Sequence, residues 1–154
     1  MRKRNLFLLL TLALAIMLAL AACGGSDTDE TPQPAEATAA PATYTTVTAQ
    51  EAYQQLKDNP DAIIVDVRNP DEWAAIGVPK VPQGATLIAL PEIQQRAPQE
   101  LPKDKTIYLI CNSGNRSRVA SDILIGLGYP SVVNVDGGIR AWLSAGLETT
   151  PYTP

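Results

Sequence analysis

The strongest constraint on the fold is a set of short apolar runs that alternate with helix-like segments. The four runs occupy residues 62–67, 85–89, 106–110 and 132–135. Short apolar runs bounded by turn residues are typical of strands that are buried on both faces. Strands that alternate with helices form a parallel sheet, because each connection crosses one face of that sheet. The sequence therefore predicts an α/β domain with helices on both faces of a parallel sheet.

The segments between these runs carry recognisable helix start signals. Thr48 and Glu51 fit a capping box, which predicts a helix to about Lys57. Residues 69–72 place an Asn, a Pro and two acids where a second helix would begin. Further helices are predicted over residues 91–96, 116–127 and 139–145. Ligands of such folds bind beyond the carboxyl ends of the strands, so we expect functional residues there.

The N-terminus has the organisation of an export signal. Residues 2–4 are basic, and residues 6–20 form an apolar run that is too short to span a bilayer comfortably. Residues 20–23 read Leu-Ala-Ala-Cys and resemble a bacterial lipobox, which implies cleavage before Cys23 and attachment of lipid to it. We therefore expect residues 1–22 to be a lipoprotein signal peptide. An ordinary signal peptide and an uncleaved anchor helix are the alternatives.

A tether and one domain are expected after the signal peptide. Residues 24–43 are rich in Gly, Ser, Thr, Pro, Ala and acids, and contain no aromatic or branched aliphatic residue. Such a segment cannot bury enough apolar surface to offset the entropy of ordering, so a flexible tether is predicted over 23–43. The domain is expected over 44–154. The protein should then lie outside the cytoplasm, anchored to a membrane through Cys23, on the periplasmic side or the outer cell surface.

Charge and composition exclude several classes of function. The chain holds 12 basic and 16 acidic residues, and removal of residues 1–22 takes away three basic residues and no acidic one. This acidic balance argues against a nucleic-acid partner, which requires a surplus of Lys and Arg. Histidine is absent, so triads, metal sites and acid–base chemistry that use imidazole are excluded. We expect no metal and no cofactor.

Cys111 is the candidate nucleophile, because it follows the most regular apolar run and precedes a predicted helix. A thiol at this point would face the free N–H groups and the positive dipole end of that helix. Arg116 would add a positive charge, and Arg118 another. These effects favour the thiolate, so the pKa of Cys111 should fall. Gly114 permits a tight reversal of the backbone. A buried structural cysteine is the alternative.

Four segments together resemble the rhodanese-domain family. The first is Cys-x-x-Gly-x-Arg-Ser over 111–117, which resembles the active loop of that family. The others are 64–68 with Glu72-Trp73, the Pro-Gln-Gly-Ala-Thr of 82–86, and 128–142 with its Asp-Gly-Gly and Ala-Trp. The resemblance implies a rhodanese-like fold with a five-stranded parallel sheet and helices on both faces. It extends over about residues 44–147.

The resemblance also implies a chemistry for this loop. Cys111 would take sulfur from a small anionic donor such as thiosulfate and hold it as a persulfide. Cyanide, a thiol or a protein acceptor would then remove it, which is covalent ping-pong catalysis. The loop residues would bind donor and persulfide; they are Asn112, Ser113, Gly114, Asn115, Arg116 and Ser117. Asp66 and Arg68 resemble paired charges that support the site, or an ion pair that only maintains the architecture.

Two departures and two rival functions accompany this interpretation. No His precedes the Pro-Gln-Gly-Ala segment, and Asn112 and Asn115 replace the charged or bulkier residues of many family members, which leaves substrate preference open. A Cys-dependent phosphatase or arsenate reductase is one rival, although only four residues separate Cys111 from Arg116, fewer than a phosphate loop needs. The other rival is a non-enzymatic module that carries persulfide to a partner or acts as a scaffold.

Overall fold

A computed structural model of the chain describes residues 43–153. The strands within these residues are β1 Thr45–Val47, β2 Ile63–Asp66, β3 Val78–Pro79, β4 Ala85–Leu87, β5 Ile107–Ile110, β6 Val132–Val135 and β7 Thr149–Thr150. Five of them form one parallel sheet in the order β1-β6-β5-β2-β4. The other two, β3 and β7, are short and pair antiparallel with each other. The predicted fold class, an α/β domain with a five-stranded parallel sheet, is confirmed.

Within residues 43–153, five α-helices connect the strands. Their bounds are α1 Ala49–Asp58, α2 Pro70–Ile76, α3 Ile93–Glu100, α4 Asn115–Gly126 and α5 Gly138–Ser144, and a short 3₁₀ helix, Leu90–Glu92, precedes α3. The capping box of α1 is present, since the Glu51 N–H donates to Thr48 Oγ1 at 3.2 Å and the Thr48 N–H donates to Glu51 Oε2 at 2.9 Å. Helix α2 begins with Pro70 in its first turn, as its sequence predicts.

The two faces of the sheet bury separate apolar layers. In β2 and β5 alternate side chains point to opposite faces: Leu109 packs with α3 and α4, whereas Tyr108 packs with α1 and α5. Trp142 of α5 is fully buried, and it packs edge-on against Tyr53 at 5.6 Å between ring centroids. Burial on both faces explains why β2 and β5 read as continuous apolar runs rather than as alternating patterns.

Three features of the fold differ from the sequence prediction. Strand β1 was not predicted, because it is an edge strand with two exposed threonines and has no apolar run. The β3–β7 pair was not predicted either, since each of its strands has only two residues. Helix α3 extends to Glu100, beyond the predicted end at Arg96, and Arg96 forms ion pairs with Glu92 and Glu100 along it.

The predicted signal peptide, the predicted lipid attachment at Cys23 and nearly all of the predicted tether lie outside the described residues. Within residues 43–153, no helix is long and apolar enough to cross a membrane.

Candidate active site

Cys111 lies immediately after β5, at the carboxyl edge of the sheet. Strand β5 is central, with β6 on one side and β2 on the other. The residue is almost completely buried, with 1% of its surface exposed, although Ser113 and Asn115 in the same loop are exposed. The sulfur is therefore placed at the floor of a loop whose rim faces solvent.

Hydrogen-bond donors from the loop and from α4 face the sulfur of Cys111. The Gly114 N–H donates to Cys111 Sγ at 3.1 Å. The Ser117 hydroxyl lies 3.5 Å from the same sulfur and 3.0 Å from the Gly114 carbonyl oxygen, so its one proton is shared between two acceptors. A thiolate would attract this proton more strongly than a neutral thiol does.

These donors lower the pKa of Cys111 below its ordinary value. Burial is the largest single influence, and it raises the pKa because a charged sulfur loses its hydration. The hydrogen bond from the Ser117 hydroxyl and those from the N–H groups of Ser117, Ser113 and Gly114 act in the opposite direction, and together they outweigh burial. The predicted direction of the shift is therefore confirmed, and its cause is hydrogen bonding.

Gly114 has a left-handed backbone conformation at the point where the active loop enters α4. It is the N-cap of α4 and has a φ of +93°, in the left-handed region that favours glycine. A Cβ at this position would also lie 3.1 Å from the backbone nitrogen of Gly137. The first N–H groups of α4 have no partner within the helix, which leaves them available to an anion in the loop.

The start of α5 packs against the loop from the other side. The Ile139 N–H donates to the Cys111 carbonyl oxygen at 2.7 Å, and the Arg140 N–H donates to the Asn112 carbonyl oxygen at 3.2 Å. Gly138 makes this approach possible, because a Cβ there would lie 2.7 Å from the Asn112 carbonyl carbon. Two carbonyl groups of the loop are thus engaged by α5. The Asp-Gly-Gly segment of residues 136–138 therefore supports the active loop. The sequence alone did not predict this role for the segment.

Arg116 is not a free positive charge. Its guanidinium forms a two-point ion pair with the carboxylate of Glu72 on α2, with N–O distances of 2.6 and 2.7 Å. The hydrogen bond from Arg116 is the main reason that the pKa of Glu72 falls to about 2. Arg118 is also paired, with Asp136 at 3.2 Å. The expectation of unpaired arginine charge beside the sulfur therefore needs correction, since sequence spacing does not reveal the carboxylates that face these side chains.

Asp66 and Arg68 form a fully buried ion pair at the end of β2. Arg68 Nη2 lies 2.6 Å from Asp66 Oδ2, and neither side chain is exposed. The same Nη2 donates to the Gly77 carbonyl oxygen at 2.6 Å, and Nη1 donates to the Glu72 carbonyl oxygen at 3.3 Å. The pair thus fastens both ends of α2 to the sheet, so the architectural interpretation of these two residues fits the contacts.

The structure gathers most of the predicted site around one sulfur. Ser113, Gly114 and Ser117 provide hydrogen bonds to Cys111, whereas Asn112 contributes a carbonyl group to α5 and Asn115 opens α4. Sequence reasoning did not identify Glu72 as the partner of Arg116. The available signal was its position in the first turn of the helix after β2, the strand adjacent to β5. Within residues 43–153, no cluster of three or more potential metal ligands is present.

Comparison with known proteins identifies relatives over the same region. The sequence profile of the Rhodanese-like domain matches residues 48–145. A sulfurtransferase of Allochromatium vinosum is 36% identical over 101 residues, which cover 66% of this chain and 90% of that protein. YrkF of Bacillus subtilis, provisionally named a sulfur carrier protein, is 37% identical over 60% of this chain and 48% of its own length. This chain thus spans about half of YrkF.

Solved structures show the same fold. The polysulfide-sulfur transferase homodimer of Wolinella succinogenes superposes with a TM-score of 0.61 and 28% identity, over 71% of this chain and 80% of that one. A rhodanese-related protein of Thermoplasma volcanium superposes with a TM-score of 0.59 and 28% identity, over 71% of this chain and 100% of that one. Both comparisons agree with the five-stranded parallel sheet.

Proposed function

The chain belongs to the rhodanese-like domain family, whose members include sulfurtransferases and sulfur carriers, and from this we propose that it transfers sulfane sulfur through a persulfide on Cys111. The observation that carries the proposal is the set of hydrogen-bond donors on the Cys111 sulfur, since these donors stabilise a thiolate at the floor of the loop. A thiolate is the nucleophile that such a transfer requires.

The proposed reaction has two half-reactions. In the first, the Cys111 thiolate attacks the outer sulfur of thiosulfate, the S–S bond of thiosulfate breaks, and sulfite leaves with the electron pair. In the second, an acceptor such as cyanide attacks the terminal sulfur of the persulfide, and the thiolate is regenerated as thiocyanate departs. Neither half-reaction needs an imidazole base, because the attacking groups in the proposed steps, a thiolate and cyanide, carry no proton that must be removed.

The loop donors would act on the charge that moves during this cycle. The Gly114 N–H donates to the Cys111 sulfur, and the N–H groups of Ser113 and Ser117 also lower the pKa of its thiol. All three would therefore be available to stabilise the negative charge of a persulfide on this residue. Arg116 would contribute to binding of the anionic donor from the loop rim, where its guanidinium is 30% exposed beside Glu72. Asp66 and Arg68 would act only by keeping α2, and with it Glu72, in place.

Mass spectrometry of the purified full chain tests the proposal. Treatment with thiosulfate should add one sulfur, about 32 Da, to the peptide that contains Cys111, and cyanide should remove it and yield thiocyanate. Reading the mass on that peptide separates Cys111 from Cys23. The Cys111→Ser variant is the control and should gain nothing. Absence of the adduct after treatment with both thiosulfate and polysulfide would contradict the proposal.

The amount of thiocyanate formed with the same reagents distinguishes an enzyme from a carrier. An enzyme would form thiocyanate repeatedly with thiosulfate and cyanide alone. A carrier would accept one sulfur per chain and release it rapidly only to a protein partner. Release of phosphate from an aryl phosphate would instead support the Cys-dependent phosphatase rival.

We further propose that the domain is tethered outside the cytoplasm through lipid on Cys23. The support is the Leu-Ala-Ala-Cys segment after a basic start and a short apolar run. The Cys23→Ala variant should accumulate as an unprocessed chain that takes up no labelled palmitate, whereas Cys111→Ser should be labelled as the wild type is. Labelling that persists in Cys23→Ala would overturn the proposed anchor.

A further inference from the structure

A shallow cavity of about 310 Å³, widely open to solvent, lies between the active loop and α5. Its lining consists of Ser113, Gly137, Arg140, Ala141 and Ser144. Ser113 belongs to the active loop itself, and the backbone of Arg140 is hydrogen-bonded to that loop at Asn112. The cavity is therefore attached to the site of sulfur chemistry and is not a separate surface feature.

Arg140 differs from every other arginine in residues 43–153. Four of the five arginines form ion pairs: Arg68 with Asp66, Arg96 with Glu92 and Glu100, Arg116 with Glu72, and Arg118 with Asp136. Within the same residues, the Arg140 guanidinium has no carboxylate partner and donates no hydrogen bond, and the residue is exposed.

The lining of the cavity offers no counter-charge to this guanidinium. Its other members are two serines, a glycine and an alanine, and the carboxylate of Asp136, next to Gly137 in the chain, is already paired with Arg118. The Ser144 hydroxyl donates to the Arg140 carbonyl oxygen at 2.8 Å, which leaves the exposed Ser113 hydroxyl as a second donor for a ligand. An unpaired guanidinium with a neighbouring hydroxyl is suited to bind a carboxylate.

The position of the cavity indicates which reactant would carry that carboxylate. The Cys111 sulfur is buried at the floor of the loop, whereas Arg140 and Ser113 are exposed and line the adjoining cavity. A ligand that used both places would need a spacer between its reacting sulfur and its anionic group. Thiosulfate and cyanide have no spacer, but a small thiol that bears a carboxylate has one.

We propose that this cavity binds the carboxylate of a small thiol acceptor, so that the acceptor sulfur faces the terminal sulfur of the Cys111 persulfide. The inference deepens the proposed function and rests on it. In the step concerned, the acceptor thiolate attacks the terminal sulfur, the S–S bond to Cys111 breaks, and the Cys111 thiolate leaves with the electron pair. The acceptor departs as a persulfide, and no external oxidant or reductant is required.

Single-turnover discharge of the persulfide tests this specificity. The full chain is loaded with thiosulfate, and the loss of the Cys111 adduct is followed with 3-mercaptopropionate and with its neutral isostere 3-mercaptopropionamide. Arg140→Ala should slow discharge by the acid about tenfold, the loss expected for one charge-assisted hydrogen bond. Discharge by the amide should not change. Arg140→Lys should restore part of the preference for the acid, and added salt should weaken it.

Arg96→Ala is the matched control, because it removes the same charge from a partly exposed arginine on α3, away from the active loop. It should leave both acceptors unaffected. If Arg140→Ala slows the acid and the amide equally, Arg140 only supports the loop and the proposal is overturned. If Arg96→Ala reproduces the selective loss, overall charge explains it and the proposal is equally overturned.

A binding measurement separates failure of this inference from failure of the proposed function. 3-Mercaptopropionate is titrated into the Cys111→Ser variant, which cannot form a persulfide, and the amide resonances of residues 113 and 140 are followed by NMR. Shifts that disappear in the Cys111→Ser, Arg140→Ala double variant support the cavity site even if thiosulfate proves not to load Cys111. The absence of such shifts would overturn the site even if sulfur transfer is demonstrated.

Discussion

The adjacent strands β2 and β5 lead into two different electrostatic arrangements: a buried ion pair at the end of β2, and a set of hydrogen-bond donors around a sulfur after β5. After β2, the Arg68 guanidinium and the Asp66 carboxylate satisfy each other, and both side chains are inaccessible to solvent. After β5, the sulfur of Cys111 is surrounded by N–H groups and a hydroxyl, which are partial charges with no carboxylate among them. The two charges at the end of β2 neutralise each other inside the fold. The donors after β5 can instead stabilise a negative charge that forms on sulfur during the reaction.

The difference shows that proximity to the sheet edge does not by itself make a residue functional. A buried ion pair is costly to break, because removal of one partner leaves a charge without solvent or counter-ion. Preorganised dipoles, by contrast, can stabilise a new anion without giving up an existing partner. The Glu72–Arg116 pair is intermediate, since it is partly exposed and joins the two regions.

The Cys111→Ser substitution should give the largest effect that separates the reactive loop after β5 from the structural ion pair at the end of β2. Sulfur transfer should fall by more than about 1000-fold, as expected when a nucleophile is removed. The free energy of unfolding should change by no more than about 1 kcal/mol, because the hydroxyl occupies nearly the same place. Kinetics and urea denaturation of the same preparation provide the two measurements, and retained transfer would remove Cys111 from the mechanism.

Arg68→Met should give the opposite signature. It leaves the Asp66 carboxylate and the Gly77 carbonyl group buried without their donor, so unfolding should become easier by about 3–5 kcal/mol. Denaturation of Arg96→Ala is the control, and loss of that exposed pair should cost at most about 1 kcal/mol. Should the folded Arg68→Met variant be as stable as wild type but inactive, the loop after β2 would have a direct part in catalysis.

The Glu72–Arg116 ion pair joins α2, which follows β2, to α4, which follows the Cys111 loop. Two substitutions test whether this pair affects binding of the sulfur donor. Arg116→Ala should raise the KM for thiosulfate about tenfold, a loss of about 1.4 kcal/mol of binding. Glu72→Gln should lower that KM, because it leaves the guanidinium without a compensating carboxylate. Steady-state kinetics at constant ionic strength measure both. An increase in KM for Glu72→Gln would mean that Glu72 instead positions Arg116 for the donor.

Ser117→Ala should produce the smallest change, confined to the titration of Cys111. Because the Ser117 hydroxyl lowers the pKa of the thiol, its removal should shift the pH profile of alkylation at the Cys111 peptide upward. Less thiolate would then be present at any pH between the two midpoints. Ser121→Ala is the matched control, since its buried hydroxyl donates to the Ser117 carbonyl oxygen at 2.9 Å. Coincident profiles for wild type and Ser117→Ala would exclude this role.

Much of the fold could be predicted because its signals are local. The apolar runs that became β2, β5 and β6, and the Thr48 capping box, each depend on residues within a few positions of one another. Strand β1 lacked such a signal, because two of its three residues are exposed threonines, so only its pairing with β6, for example Thr45 with Val133, defines it as a strand.

The candidate site also has features that local sequence signals predict and features that they do not. The sequence by itself determined a parallel α/β domain and a cysteine loop between a strand and a helix, because strand, glycine and helix start are consecutive. Only the tertiary structure decided that Arg116 is paired with Glu72, 44 residues earlier, and that Arg140, beside Ser113, has no ion-pair partner within residues 43–153. Such contacts join separate elements of the fold. They are selected by the free energy of packing and charge pairing between those elements, so they cannot be predicted from residues that are neighbours in the sequence.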